Sequence, residues 1–271
     1  MMLAKLFISL VRISPSFQKA VWKWWYQRLG KRGHDIGWTF MNYGFIPDNK
    51  EQSPNLKPED ESNRMFIQLY DYAASQIPLD GLKVLEVGSG RGGGASFIAR
   101  YYNPKSMTGL DYSPSAVKLS NSVHREVSNL DFVEGDAENL PFEDNEFDAV
   151  INVESSHCYG NMRSFIKEVH RILKKGGHFS WVDLRGKDMI DETEAVFKES
   201  NLKCIHEQSI TPQVVSALDE IHDQKIEMIS LHVPKFVQGA FKDFAGVKDS
   251  QIYNAFKNGN SVYLSKAFQK V

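Results

Sequence analysis

Few side chains in this 271-residue sequence are spaced to do chemistry, and most of them follow short apolar runs. His157 comes four residues after Val150-Ile151-Asn152-Val153, and Asp183 ends Ser180-Trp181-Val182. If the two runs are neighbouring strands, an imidazole at one tip meets a carboxylate at the next. Such a pair is a general base with its orienter, the acid fixing the tautomer and stabilising the imidazolium. A positioned base contributes about 10²–10⁴ in rate. Cys158 adjoins His157, but removing a proton needs no thiol nucleophile. Glu154, close by, is a candidate for touching a substrate or an amino group.

A second constellation surrounds a glycine turn. Val84-Leu85-Glu86-Val87 is an apolar strand that runs into Gly88-Ser89-Gly90-Arg91-Gly92-Gly93-Gly94, and a helix opens directly after it. Glycine reaches positive φ cheaply and lets a ligand approach bare backbone. The unpaired N–H groups at the following helix start favour an anion. Gly88, Gly90 and Gly93 also fit the dinucleotide spacing, so the glycines alone do not choose a ligand. Asp111 ends a second strand about twenty residues on, where an acid can take both ribose hydroxyls. Asp136 and Ala137 follow a third strand, where a carboxylate and a backbone N–H can read an adenine edge.

The elements that must carry these residues alternate. Strands are expected near 83–87, 106–110, 131–134, 147–153 and 178–184, and helices near 93–102, 114–127, 161–174 and 190–200. That rhythm predicts an α/β fold with a mostly parallel sheet, helices on both faces and ligands at the carboxyl ends of the strands. Residues 61–77 read as a helix capped by Ser62 or Asn63. After a sixth strand near 202–207, apolar periodicity predicts helices over 211–231, 234–244 and 249–257. A last, antiparallel strand over 261–268 then completes a Rossmann-like sheet. The expected division is 1–60 as N-terminal amphipathic helices and an aromatic lid loop, 61–207 as the cofactor-binding core, 208–258 as a helical cap and 259–271 as the final strand.

At this point the sequence resembles the class I S-adenosylmethionine-dependent methyltransferases. Glu86-x-Gly88-x-Gly90-x-Gly92 matches their first motif, Asp111 their ribose acid, Asp136-Ala137 their adenine motif, and Arg171 to Gly177 the turn before their fifth strand. Further stretches are similar to the phthiotriol/phenolphthiotriol dimycocerosates methyltransferases, which act on a hydroxyl of a long lipid: Val21-Trp22-Lys23-Trp24-Trp25-Tyr26, Gly135 to Phe142, and Ser156-His157-Cys158-Tyr159. Ser89 departs from the cysteine that many methyltransferases carry, without changing the backbone geometry. The resemblance implies S-adenosylmethionine held by Glu86, Gly88, Ser89, Gly90, Asp111, Tyr112, Asp136, Ala137 and Asn152. It implies an apolar or lipid-like acceptor met by Tyr43, Glu154 and Tyr159, and His157–Asp183 as base for O-methylation. Sterol-type C-methylation and phosphobase N-methylation are the alternatives within the class. A dinucleotide oxidoreductase and an idle lipid-binding adaptor are those outside it.

Composition narrows the setting. A net charge of −2 gives no global signal for nucleic acid. Two cysteines, Cys158 and Cys204, build neither a disulfide framework nor a Cys-type zinc site, and no metal is expected. No apolar run reaches the roughly 18 residues of a spanning helix. The expected location is cytoplasmic, with peripheral contact at a membrane surface. Residues 1–34 motivate that contact: they hold seven Lys and Arg and no Asp or Glu, with Trp22, Trp24 and Trp25 among apolar residues at helical spacing. An interfacial helix, a targeting segment and a helix packed on the enzyme's own core all fit that pattern.

Overall fold

The computed structural model describes residues 39–271 except 234, 236 and 237, so the basic N-terminal segment and Trp38 lie outside the described residues. Seven strands form one sheet in the order β3-β2-β1-β4-β5-β7-β6. They are β1 (Lys83–Val87), β2 (Ser106–Asp111), β3 (Leu130–Glu134), β4 (Phe147–Val153), β5 (Leu173–Gly186), β6 (Leu202–Ser209) and β7 (Ser261–Lys270). β1 to β5 pair in parallel, and β7 runs antiparallel between β5 and β6.

Helices follow the strands: α1 (Arg64–Ser75), α2 (Gly93–Tyr101), α3 (Pro114–Val123), α4 (Met162–Ile172), α5 (Ile190–Lys198), α6 (Thr211–Glu220), α7 (His222–His232), α8 (Gln238–Phe244) and α9 (Gln251–Lys257). Strand periodicity sorts the core into two layers. Val84, Ala149 and Ile151 pack beneath α1, α2, α6 and α9. Leu85, Val87, Val150, Phe179 and Trp181 face α4 and α5. Trp181 and Phe179 are fully buried, each such side chain stabilising by about 1.5–3 kcal/mol. The indole of Trp181 also reaches the site, as described below.

Several local expectations shift. The helix expected over 161–174 stops at Ile172, because Gly176 takes φ 79° and the chain pairs with β4 from Leu173 onward. β5 therefore runs 14 residues, its far end held by β7 as far as Gly186 opposite Ser261. Asn63 makes no side-chain cap. The helix instead continues a 3-10 turn, Pro58–Asn63, and the Arg64 amide donates to the Glu61 carbonyl. The single helix expected over 211–231 is two, broken at Ile221, whose buried side chain packs with α6 and the sheet. Within 208–258, Val214, Leu218, Tyr253 and Phe256 belong to the main core, while Ile229, Phe241, Ala245 and Val247 form a small cluster of their own.

Candidate active site

All the predicted site residues in the described chain gather at the carboxyl ends of β1, β2, β3, β4 and β5 or face that end from Tyr43. The glycine turn leaves β1 with Gly88 at φ 79° and Gly90 at φ 55°, and the Gly88 and Ser89 amides donate to the Leu110 carbonyl of β2 at 2.8 and 2.9 Å. Asp111, ending β2, accepts from the Gly90 amide at 2.8 Å and the Ser113 amide at 2.9 Å. Its carboxylate thereby braces the turn and the start of α3 together. Burial pushes its pKa up to about 6, against the help of those two amides. Asp136 accepts from the Glu138 amide at 2.9 Å, and Glu138 in turn accepts from the Gly160 amide at 2.8 Å. That pair of bonds ties the loop after β3 to the approach of α4.

One cavity runs along this edge. Gly88, Ser89, Gly90, Asp111, Tyr112, Asp136, Ala137, Glu154 and Tyr159 line it; Glu86, Asn152, Tyr43, His157 and Asp183 do not. Glu86 lies fully buried beneath the glycine turn, where the Tyr70 hydroxyl donates to it at 2.8 Å and burial raises its pKa to about 7. Asn152 is a post inside the protein: its amide nitrogen reaches the Val87 carbonyl at 2.9 Å, Ser155 Oγ at 2.7 Å and the Tyr159 hydroxyl at 3.1 Å. Other wall residues were not singled out from the sequence, among them Tyr70, Arg91 and Ser155. Thr39 to Asn42 close the wall, so the aromatic loop does border the cavity, but through the residues before Tyr43.

His157 sits in a 3-10 turn, Ser156–Cys158, directly beyond β4. Its Nδ1 lies 2.8 Å from Asp183 Oδ1, and its own amide donates to Asp183 Oδ2 at 3.0 Å. Asp183 is not past a strand tip as expected. It lies inside the long β5, one residue beyond the Val153–Val182 pairing, because β7 extends the sheet past β4. Ser156 Oγ donates to Asp183 at 2.5 Å and accepts from Trp181 Nε1 and Arg185 Nη2, both at 2.8 Å. Burial would raise the Asp183 pKa, but His157, Arg185 and Ser156 hold it well below the usual carboxylate range. For His157, burial opposes the charged ring, yet Cys158 and Asp183 outweigh it and the pKa stands well above 6.5. The imidazole side chain keeps 26% exposure while Asp183 has none.

Glu154 adopts φ 48°, a conformation that non-glycine residues enter at a cost of order 1 kcal/mol. Its Oε2 accepts from the Tyr43 amide at 2.8 Å and the Tyr263 hydroxyl at 2.7 Å, and burial raises its pKa to about 7. Tyr43 does not line the cavity; its ring is edge-on to Phe256 and its hydroxyl donates to the Phe244 carbonyl at 3.2 Å. Tyr263 had no sequence signal beyond strand alternation.

A profile of the methyltransferase domain matches residues 85–181. Over 257 residues the chain is 38% identical to the phthiotriol/phenolphthiotriol dimycocerosates methyltransferase of Mycobacterium tuberculosis, covering 95% of this chain and 94% of that protein. The chain belongs to that methyltransferase family. This methyltransferase is also 34% identical to a fatty-acid O-methyltransferase of Mycolicibacterium smegmatis, over 96% of this chain and 92% of that one. Its fold is shared with a solved putative sarcosine dimethylglycine methyltransferase from Galdieria sulphuraria (TM-score 0.73, 16% identity, 90% and 98% of the two chains). It is shared as well with the [4+2]-cyclase SpnF (TM-score 0.72, 19% identity, 93% and 96%).

S-adenosylmethionine is the cofactor of this class, and the residues present suit it. A Cβ at Gly90 would meet nothing within 4 Å, so that wall is open to a ligand. Ser89 Oγ, buried, has no hydrogen-bond partner among the described residues. Asp111 can still accept hydroxyl donors, since each oxygen holds only one amide. Among the described residues no helix is long and apolar enough to cross a membrane.

Proposed function

We propose that this methyltransferase moves a methyl group onto a hydroxyl of an apolar, lipid-like acceptor, with His157 as general base and Asp183 as its orienter. The 2.8 Å contact between His157 Nδ1 and Asp183 Oδ1 carries the reading. An ionised Asp183 accepts only, so Nδ1 holds the ring proton and Nε2 is left to take the hydroxyl proton. When bound, S-adenosylmethionine supplies the electrophilic methyl and departs as S-adenosylhomocysteine. The acceptor oxygen forms the new C–O bond as its proton passes to Nε2, and Asp183 stabilises the resulting imidazolium.

Glu86, Gly88, Ser89, Gly90, Asp111, Tyr112, Asp136 and Ala137 serve the cofactor in this reading, and Asn152 supports them by fixing the end of β1. Glu154 and Tyr159 face the acceptor from the wall. Tyr43 and the helices of 208–258 cover it and keep water from the transfer. Residues 1–34 hold the enzyme at a membrane face, where their cations and tryptophans suit an anionic interface.

The test is methyl transfer from labelled S-adenosylmethionine into lipid extracts. His157→Ala should lower turnover by about 10²–10⁴ while sparing S-adenosylhomocysteine affinity. A carboxylate acceptor needs no base, so unchanged turnover in that variant would overturn the hydroxyl reading.

A further inference from the structure

A second cavity, of about 650 Å³, shares no lining residue with the cofactor's and lies along the polar side of α1. Its volume falls within the roughly 300–1,000 Å³ of small-molecule sites. Gln68, Asp71, Tyr72, Ser75 and Gln76 form one wall, at the i, i+3, i+4, i+7, i+8 spacing of a single helix side. Phe66, Ile67, Leu69 and Tyr70 of the same helix pack into the main core. A polar helix side is ordinarily left to water. Here the loop from Phe45 to Gln52, Gln208 of β6 and Gln213 of α6 complete the lining, and Gln68 is only 5% exposed.

Six of the lining side chains are primary amides and two are carboxylates; among the described residues none is a Lys, Arg or His. An anion therefore finds no countercharge. An amide sets an acceptor beside a two-hydrogen donor, and a hydroxyl group, which also accepts and donates, matches it. An ammonium only donates and would leave the amide hydrogens unmet. Phe45 and Tyr72, their rings stacked 4.7 Å apart, add an apolar patch that suits the C–H face of a sugar ring.

Two of the amides lack a partner. Gln68 Nε2 donates to Ser53 Oγ at 3.0 Å, and Gln213 Nε2 donates to both oxygens of Asp48, at 3.1 and 2.9 Å. The carbonyl oxygen of each is buried and has no hydrogen-bond partner among the described residues. The Asp48 carboxylate fixes which end of Gln213 is the oxygen, because oxygen facing oxygen would repel. Buried acceptors are normally satisfied, so a donor is due at both. Asp71, in the same wall, accepts from the Tyr102 hydroxyl at 2.7 Å; burial raises its pKa, and a further donor would favour the ionised form.

We propose that this cavity binds an uncharged, hydroxyl-rich ligand, a sugar ring, with Gln68 and Gln213 accepting its hydroxyl hydrogens. The loop that closes the cofactor cavity at Thr39 to Asn42 continues into this wall, so the sugar lies against the same segment from another side. The inference rests on neither the cofactor assignment nor the His157 base.

Ligand-observed magnetic resonance titrations of the full chain test it, with S-adenosylhomocysteine present to occupy the cofactor cavity. The probes are the methyl glycosides of glucose, mannose and galactose, with choline as a cation and inorganic phosphate as an anion. At least one glycoside should bind, and more tightly than choline or phosphate. Gln68→Leu and Gln213→Leu should each weaken it by about 2- to 13-fold, the range of a neutral hydrogen bond. Together they should weaken it by about 5- to 150-fold, with S-adenosylhomocysteine affinity unchanged. Ser75→Trp, at an exposed position on the wall, should abolish glycoside binding by filling the cavity. Glycoside binding that survives Ser75→Trp or the double variant overturns the proposal. So does tighter binding of choline, a parallel loss of S-adenosylhomocysteine, or no binding by any of the three glycosides. If the glutamine variants fail to fold, Ser75→Trp and the wild-type ranking of the probes still decide.

Discussion

With Asp111 as the proposed ribose acid, cofactor binding should be pH-dependent by an amount that can be worked from that residue's surroundings. Burial raises its pKa from an ordinary 3.8 to about 6, although the Gly90 and Ser113 amides already support the ionised form. Ribose hydroxyls donating to the carboxylate would favour ionisation further and draw the pKa back down. The gap between 3.8 and about 6 is worth about 3 kcal/mol, or about 100-fold in a binding constant if the ligand recovers all of it. The sign follows directly. Below about pH 6 the unbound protein carries a proton that binding must expel, so S-adenosylhomocysteine affinity should rise from pH 5 and level off above pH 7. In the unbound protein the same burial opposes folding, and stability should fall as pH rises from about 4 to about 6. Calorimetry from pH 5 to 8 in buffers of different ionisation enthalpy reads both the affinity and the proton released. Asp111→Asn should weaken binding by about 10- to 150-fold at pH 8, the loss of a charge-assisted pair, and flatten the slope below pH 6.5. Any slope it keeps near pH 7 belongs to Glu86 and Glu154, whose carboxyls burial pushes to about 7. A flat profile in the wild type, or an unchanged slope below pH 6.5 in Asp111→Asn, would refute Asp111 as the ribose acid.

Methyl transfer should show a rising limb with pH centred well above 6.5, because the base must be neutral and Cys158 and Asp183 favour the imidazolium. Asp183→Asn should move that limb to lower pH and cut the maximal rate by about 10²–10⁴; a limb that stays in place would separate it from His157. Gly90→Ala should lower S-adenosylhomocysteine affinity more than the melting temperature, since its Cβ meets open cavity at φ 55°, whereas Gly88→Ala should unfold the turn by colliding with Ser155. Deleting residues 1–30 should weaken co-sedimentation with anionic vesicles and slow lipid methylation while sparing cofactor affinity. A loss of melting temperature with unchanged sedimentation would instead mean that the segment packs on the core.

The first four strands were legible because they are short, largely apolar runs ended or followed by glycine or an acid. What the sequence hid was length and breakage. Nothing local in Leu173 to Gly177 marks a strand, since pairing there depends on Phe147 of β4, 26 positions before Leu173 in the chain. The stop at Ile221 was hidden because its apolar side chain continues the helical period while its backbone leaves it (φ −92°, ψ 9°). A period of hydrophobicity reports which face is buried and not whether the axis is continuous.

The site divides the same way. Its cofactor half is written in order along 84–137, because each residue there ends a strand or opens a helix and its main partners lie on adjacent strands. Gly90 and Asp111 are only 21 positions apart, and a glycine turn followed by an acid is a pattern that local rules can read. The half proposed to meet the acceptor is not local. Glu154 meets Tyr43 from 111 positions away and Tyr263 from 109, and Tyr43 reaches Phe244 across 201. None of these side chains carries a motif, and Tyr263 is indistinguishable in sequence from any other inward residue of β7. Only the antiparallel insertion of β7 beside β5 brings its hydroxyl to the β4 tip. Cofactor chemistry is therefore readable from spacing. In the proposed reading, acceptor choice depends on which distant segments the topology folds over Glu154, and changes in those segments should alter the acceptor while every cofactor motif stays intact.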